Sequence, residues 1–401
     1  MKKAPTIRTR KRGEKWYYSF EAGMLDGKRK QVAKGGFATE AAAKEAGMEA
    51  YISWKHGNIS IVSERITLAD FLHNWLENAI RPNVKRNTYT NYKISIDKRT
   101  IPYIGNKIIQ ELRPLDIDQW MNQLARKGMA KGTLSITKGV LSAALNYAIY
   151  PAELISANPS LAIKVPRSAP RKVTKRTIIT PEQLAALLDE FPVGHKYRIP
   201  VLLAYHTGAR IGEILGLEWQ DIDLDKKSVR IRQQLQNCRD VQVYFFESPK
   251  TESSYRDFYI DSKLVSELKK WKTAQGAARM KRGEAYQLIY EDKGRQVFSL
   301  PVSEDCPAGA VYKDLVCTDQ TGLFIKYPAL SRVLRRFGLN AHSFRHTHTT
   351  ELAAYGALPT DIAARLGHHD ATMVNKLYAH DTEAMKQATV SIIEKSIVRY
   401  Q

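Results

Sequence analysis

The sequence predicts a multidomain protein in which a small α/β domain, an all-helical domain and a mixed α+β domain follow one another. Three observations predict this order. The chain has 401 residues, which is more than one ordinary domain needs. Its apolar pattern changes from strand alternation to helical spacing near residue 66, and later to a mixture of the two. A basic, proline-containing segment separates the last two parts.

The first predicted domain, residues 1–60, combines a small sheet with one helix. Residues 1–34 carry eleven Lys or Arg against three acids, so a solubilising basic tail is the alternative. Strand alternation and interleaved aromatic residues favour an ordered nucleic-acid-binding module. Its predicted elements are a strand at Trp16–Phe20, a hairpin turn at Asp26-Gly27, a strand at Lys28–Ala33 and a helix at Glu40–Ser53 with Thr39 as N-cap.

The second predicted domain, residues 66–165, is all-helical with a basic surface. Thr67 and Asp70 have the spacing of a helix start. The further predicted elements are a helix at Asn87–Thr100, an Ile-Pro-Tyr-Ile-Gly turn from Ile101, and helices at Asp116–Lys127 and Lys131–Tyr150. Residues 166–176 contain two prolines, five basic residues and no acid, which predicts a linker.

The third predicted domain, residues 177–401, mixes helices and strands. Thr180 followed by Pro181 predicts a capped helix start. An apolar helix is expected at Tyr197–Tyr205, and strands are expected around residues 227–231 and 255–260. The long interval from Trp271 to Pro328 has no role that the residues reveal.

The charge of the chain points to its partner. A formal net charge of +21 favours a polyanion, and nucleic acid is the usual one. An anionic membrane surface is the other candidate, but neither a basic amphipathic helix nor a lipidation motif supports it. Three scattered cysteines predict a reducing compartment, and neither a signal peptide nor a run of about 18 apolar residues is present. We therefore expect a soluble cytoplasmic protein.

Two basic residues of the last domain are candidates for holding a phosphate. Arg210 follows a glycine break and opens a helix, and its planar guanidinium suits two phosphate oxygens. The alternative is that Arg210 pairs with Glu213 and only stabilises the helix. Lys250 lies at a turn between strand-like runs. A lysine there is usually just solvated, but above a phosphate its ammonium can protonate a leaving alkoxide.

The stretch 341–378 holds five of the ten histidines, with His342 and Arg345 three residues apart on one helical face. His342 and His346 have the spacing of a helical zinc site. Residue 343 is not the glutamate of a metalloprotease helix, and Arg345 would repel a cation, so no metal and no cofactor are expected. His346 and His348 are interpreted as packing or supporting groups.

The same stretch supplies a candidate nucleophile. Leu366-Gly367-His368 is typical of a helix end with a histidine at its exit. Tyr378 follows after a polar, loop-like segment, although a tyrosine is normally a core residue. A tyrosine can attack phosphorus and form a covalent ester, provided that neighbouring cations lower the pKa of its phenol.

Together these residues predict phosphoryl transfer without a metal. Arg210 and Arg345 would hold the non-bridging oxygens while Tyr378 attacks the phosphorus. Lys250 would protonate the leaving 5′-oxygen, and the histidines would orient the tyrosine and handle its proton. The energy of the broken bond stays in the phosphotyrosine, so no nucleotide is required.

Five segments then resemble the tyrosine recombinase (phage-type integrase) family, in particular integrases of conjugative transposons and temperate phages. The middle of the chain, TLADFLHNWLE, resembles the core-binding domain of that family, and the N-terminus its three-stranded arm-binding domain. The five segments are ARIGEILGLEWQDID around Arg210, SPKTESSYRDFYI around Lys250, HSFRHTHTT with His342 and Arg345, LGHH with His368, and NKLYAH with Tyr378.

The resemblance implies a site-specific recombinase that integrates and excises a mobile element. Two domains would clamp duplex DNA at a core site, and the N-terminal domain would hold arm sites. A homotetramer would exchange strands through a 3′-phosphotyrosine and a Holliday junction, with an excisionase and a host DNA-bending protein as further partners. His368, favoured over His369 because it follows Gly367 directly, would bond the phosphate, and Ala379–Gln401 would pack on a neighbouring protomer.

Two alternatives stay open. A type IB topoisomerase would use the same set of residue types, but it needs no second DNA site. A non-catalytic DNA-binding regulator would keep the fold without the complete set of candidate catalytic residues.

Overall fold

The chain folds into two units, residues 1–173 and 174–401, each built around its own apolar core. The computed structural model describes residues 7–25, 28–55, 65–171, 177–238, 243–249 and 252–367. The boundary between the units falls inside the predicted linker 166–176, of which residues 172–176 lie outside the described part. Ala169 is buried in the helical core, and the Lys131 amide donates to the Pro170 carbonyl over 2.9 Å. The first half of this segment therefore packs with the helices.

The N-terminal sheet is three-stranded and antiparallel, in the order β1-β2-β3, and one helix packs on it. Tyr18 and Phe20 alternate with less buried residues along β2, and their buried rings form the small core. Thr39 caps the helix by accepting the Ala42 amide over 3.2 Å. The elements are β1 (Arg8–Arg12), β2 (Lys15–Leu25), β3 (Lys28–Phe37) and α1 (Glu40–Lys55). The predicted sheet and helix are confirmed, whereas the predicted turn residues 26–27 lie outside the described part.

The helices of residues 68–149 surround the second core, and Trp120 lies inside it with its indole N–H donated to the Arg99 carbonyl over 2.7 Å. Thr67 caps the first of these helices by accepting the Asp70 amide, as predicted. The helices are α2 (Leu68–Trp75), α3 (Arg86–Ile94), α4 (Ile101–Ile104), α5 (Pro114–Arg126) and α6 (Lys131–Ile149), and π-helical turns extend α2 to Ile80 and α3 to Thr100.

The predicted turn at Ile101–Gly105 is wrong, because the chain is helical as far as Ile104. Pro102 lies in α4, which directly continues the π-helical turn that ends at Thr100. The Gly105 amide then donates to the Ile101 carbonyl over 3.0 Å. The helical structure therefore continues through this proline instead of ending before it.

The second unit packs seven described helices against two sheets. Thr180 and Gln183 form a capping box at the first of these helices, as predicted. The helices are α7 (Pro181–Glu190), α8 (Arg198–Thr207), α9 (Ile211–Leu215), α10 (Ser262–Arg282), α11 (Tyr327–Arg336), α12 (Ala341–Ala354) and α13 (Pro359–Leu366). None of the helices in the described ranges has the length and apolarity to cross a membrane.

A three-stranded sheet in the order β4-β5-β8 lies next to the helices, and both predicted strands belong to it. Its strands are β4 (Ile222–Asp223), β5 (Ser228–Ile231) and β8 (Arg256–Tyr259). A five-stranded antiparallel sheet, ordered β11-β9-β10-β7-β6, includes three strands from the interval 271–328. Its strands are β6 (Gln234–Cys238), β7 (Val243–Glu247), β9 (Gln287–Glu291), β10 (Gln296–Pro301) and β11 (Val311–Tyr312).

Candidate functional site

Arg210 is held at the junction between α8 and α9. Gly208 ends α8 with a φ of 61°, a conformation that favours glycine. Arg210 is the N-cap of α9, and its backbone amide donates to Glu213 Oε2 over 3.0 Å. Its guanidinium donates to Glu213 Oε1 over 2.8 Å, while 37% of the side chain stays exposed. The pair with Glu213 therefore forms, and it fixes the guanidinium at the surface.

Arg345 lies on α12 and connects the C-terminal ends of α8 and α13. Its guanidinium donates to the Gly208 carbonyl over 3.0 Å and to the Leu366 carbonyl over 2.6 Å. The residue is 7% exposed. Burial, followed by the positive charge of Arg210, lowers the pKa of Arg345 to about 9, and Glu213 opposes the shift. An anion bound next to Arg345 would stabilise its charged form against both burial and the repulsion from Arg210.

The end of α13 lies against the same group of residues. Gly367, with a φ of 66°, accepts a hydrogen bond from Arg210 over 3.4 Å. A Cβ on Gly367 would lie 3.2 Å from the Ser253 carbonyl oxygen and 3.0 Å from Arg256. Gly367 is therefore packed against the turn that leads into β8.

Arg256 is a residue of the site that sequence reasoning missed. It is buried at the start of β8 and donates to Glu213 Oε2 over 2.8 Å. Burial alone would raise the pKa of Glu213, but the guanidinium groups of Arg256 and Arg210 lower it overall. Arg256 shares the inward face of β8 with Phe258, and an arginine on such a face was the available signal.

His342 is exposed in the first turn of α12, where Asn340 caps the helix by accepting the His342 amide over 2.9 Å. Arg345, one turn later, points inward. The structure therefore brings Arg210 and Arg345 together at the end of α13, where they bond the neighbouring Gly367 and Leu366 carbonyls. It places His342 at the surface of the helix that carries Arg345. Lys250, His368 and Tyr378 lie outside the described residues, as does His369.

His348 is buried on α12 and supports the site. Its Nε2 accepts from Arg365 over 3.1 Å, so its Nδ1 carries the proton and donates to the Tyr205 carbonyl over 3.2 Å. Burial, followed by the charge of Arg365, lowers the pKa of His348 to about 4. The predicted packing role is confirmed for His348, and His346 is half-buried on the same helix.

The arrangement can bind an anion. Among the described residues, Arg210 and Arg256 both pair with the carboxylate of Glu213, and the guanidinium group of Arg345 lies near enough for the charge of Arg210 to lower its pKa. Planar guanidinium groups that are held by carbonyl oxygens and a carboxylate are preorganised for phosphate oxygens. Within the same ranges, no three His, Cys, Asp or Glu side chains form a group that could hold a metal ion.

Three family descriptions match successive parts of the sequence. They are an arm DNA-binding domain at residues 6–50, a phage integrase N-terminal SAM-like domain at residues 67–125, and the phage integrase family at residues 177–284. The chain carries phage integrase family domains. The predicted resemblance to tyrosine recombinases and the predicted fold class are thereby confirmed.

Relatives of this chain agree with that assignment. The chain is 25% identical over 363 residues to a tyrosine recombinase XerC-like protein of Caldanaerobacter subterraneus, covering 87% of this chain and 88% of the relative. It is 26% identical over 350 residues to the transposase from transposon Tn916 of Enterococcus faecalis. The match covers 85% of this chain and 80% of the transposase. The chain is thus a tyrosine recombinase, an enzyme class that cuts and rejoins DNA.

A solved structure shares the fold. The Tn1549 transposon integrase in complex with transposon right end DNA superposes with a TM-score of 0.62 at 21% identity, over 82% of this chain and 100% of the other. At this level of identity the similarity concerns the fold alone.

Proposed function

We propose that Arg210, Lys250, His342, Arg345, His368 and Tyr378 form the active site of a site-specific DNA recombinase. The observation that carries the proposal is the cluster of cations at the ends of α8 and α13, where Arg210 is fixed by Glu213 and Arg345 is fixed by the Gly208 and Leu366 carbonyls. Gly367, the described neighbour of His368, accepts a hydrogen bond from Arg210. Ser254, four positions after Lys250, accepts one from Arg256, which pairs with Glu213. A phosphodiester of duplex DNA supplies the matching negative charge.

The proposed reaction is a transesterification. The Tyr378 phenol oxygen attacks phosphorus, a bond from phosphorus to tyrosine forms and the bond to the 5′-oxygen breaks. Arg210 and Arg345 bind the non-bridging oxygens, on which negative charge accumulates in the transition state. Lys250 gives a proton to the 5′-oxygen, while the histidines His342 and His368 take up the phenol proton and orient the phosphate and the phenol. The reverse attack by a 5′-hydroxyl restores the diester, so the step needs no redox partner, cofactor or metal.

The proposed organisation assigns arm-site binding to residues 1–60, core-site binding to residues 66–165, a linker role to residues 166–176 and catalysis to residues 177–401. The net charge of +21 supports double-stranded DNA as the partner of all three domains. The transposon name of one relative supports integration and excision of a mobile element. We extend the proposal to a homotetramer that works through a Holliday junction, with an excisionase and a host DNA-bending protein as accessory partners.

A nicked suicide substrate tests the proposed chemistry. Cleavage next to the nick releases a short fragment, so the covalent intermediate accumulates. We expect a 3′-phosphotyrosyl adduct with the wild type and none with Tyr378→Phe, which lacks the attacking oxygen. An adduct that survives this substitution would contradict the assignment of the nucleophile. Relaxation of any plasmid regardless of sequence would favour the topoisomerase, and DNA binding without any adduct would favour the regulator.

A further inference from the structure

Three chain segments of the site meet at one buried guanidinium group, that of Arg256. Its Nε donates to the Arg365 carbonyl over 2.7 Å, at the end of α13. One terminal nitrogen donates to the Ser254 carbonyl over 3.0 Å, and the other donates to Glu213 Oε2 over 2.8 Å. The three acceptors belong to three separate segments, and only the fork of an arginine can serve all of them at once.

Each of these segments leads to a proposed catalytic residue. Glu213 holds Arg210. Ser254 ends the short helical turn Glu252–Ser254, which begins two positions after Lys250. Arg365 is three positions before His368.

We propose that Arg256 is a positioning residue that sets the distance between the Arg210 guanidinium, the turn Glu252–Ser254 that follows Lys250 in sequence, and the end of α13. The proposal rests on the proposed function, because it assigns Arg256 to the same site. Arg256 acts through its neighbours, and its own hydrogen bonds point to protein atoms.

We call Arg256 and its three acceptors the hub. Because the hub is buried, loss of its hydrogen bonds would displace residues of the site. The side chains of Arg256 and Glu213 are 6% and 2% exposed, so neither can exchange its partner for bulk water. A Cβ on Gly367 would lie 3.0 Å from an Arg256 nitrogen and 3.2 Å from the Ser254 Cα, so the end of α13 packs tightly on the hub. A displacement on the order of 1 Å between reacting groups costs roughly 100-fold in rate.

The first test compares Arg256→Lys and Arg256→Gln with the wild type in single-turnover cleavage of the nicked substrate. Lysine keeps the charge but reaches one acceptor at a time, so we expect the cleavage rate to fall roughly 100-fold. The DNA dissociation constant should change less than about threefold, because Arg256 is turned away from solvent. Arg230→Lys is the matched control, since Arg230 pairs with Asp257 on the exposed face of the same sheet. We expect wild-type cleavage from it.

The second test asks through which neighbour Arg256 acts. A substrate with sulfur in place of the 5′-bridging oxygen releases a thiolate, which leaves without a proton. This substrate should restore cleavage fully in Lys250→Ala and in part in Arg256→Lys, but not in Arg210→Lys. A residue that only stabilised the fold would show no such recovery. Thermal unfolding of each variant verifies folding, and if Arg256→Gln does not fold, Arg256→Lys decides.

The outcomes separate the two proposals. Cleavage by both Arg256 variants within about threefold of the wild type would overturn the positioning role and leave the proposed function intact. Recovery of Lys250→Ala but not of Arg256→Lys on the sulfur substrate would overturn the link to the turn that follows Lys250. If the wild type formed no adduct, the proposed function would fail and the role of Arg256 with it.

Discussion

Arg345 and Gly208 are joined by a hydrogen bond of 3.0 Å between guanidinium and carbonyl oxygen, across 137 positions of the sequence. The bond connects α12 to Gly208, which ends α8 two residues before Arg210. Because the same guanidinium also holds the Leu366 carbonyl, three helices depend on one buried cation. The candidate phosphate site is therefore built into the packing of the unit.

Gly208→Ala tests this packing. The φ of 61° disfavours alanine, and its Cβ would lie 2.7 Å from the His348 ring. We expect a loss of about 3 kcal/mol, or a drop in the midpoint of thermal unfolding of roughly 6–12 °C. Gly338→Ala is the control, because its φ is 69° but a Cβ there would meet no atom within 4 Å. Equal shifts in the two variants would show that the contact with His348 contributes nothing.

Arg345→Lys tests the need for a planar fork. Lysine keeps a positive charge but cannot hold the Gly208 and Leu366 carbonyls while also facing a phosphate. We expect the single-turnover rate of cleavage to fall by about 10²–10³, the usual effect of removing one transition-state donor. Affinity for core-site DNA, measured by gel shift, should change little. A parallel loss of affinity would instead assign Arg345 to ground-state binding.

Cleavage in the presence of EDTA tests whether guanidinium groups alone supply the positive charge. If Arg210 and Arg345 neutralise the phosphate, the rate on the nicked substrate should not change when divalent ions are chelated. Complete loss of cleavage, with recovery on adding Mg²⁺, would contradict the metal-free mechanism.

Local sequence signals predicted where helices near the site begin. Thr180 with Pro181 predicted the start of α7, and the glycine break before Arg210 predicted the start of α9. These predictions succeeded because a cap and its partner lie within four residues of each other. The charged strand β1 was not found from its own residues, since RTRKR has no apolar alternation and the strand forms by pairing with β2.

The hub at Arg256 could not be predicted from the sequence, for a different reason. Its partners Glu213 and Arg365 are 43 and 109 positions away, and no local pattern links them. The buried position of Arg345 was also missed, because spacing places His342 and Arg345 on one helical face without saying how deep each lies. Contacts between distant segments depend on the tertiary packing, which periodicity does not encode.

His348 predicts a specific loss of stability in acid. Its pKa is lowered by burial to about 4, against about 6.5 in an unfolded chain. Between these values the unfolded state binds more protons, so stability falls as pH falls from 6.5 to 4, by up to about 3 kcal/mol. His348→Gln stays neutral, so the midpoint of thermal unfolding should fall less between pH 7 and pH 4.5 than in the wild type. Equal decreases would mean that His348 does not titrate in this range.

Deleting residues 1–60 tests the proposed division of labour between arm and core sites. The N-terminal sheet has its own buried residues, Tyr18 and Phe20, so its removal should leave the rest of the chain folded. We expect arm-site binding to disappear while core-site cleavage stays near the wild-type rate. The full-length variant Arg8→Gln, Arg10→Gln is the control, because both residues are exposed on β1. If they contact phosphates, this variant should reduce the slope of log affinity against log salt by about 2 at arm sites only. Collapse of core cleavage in the deletion would contradict the three-domain division.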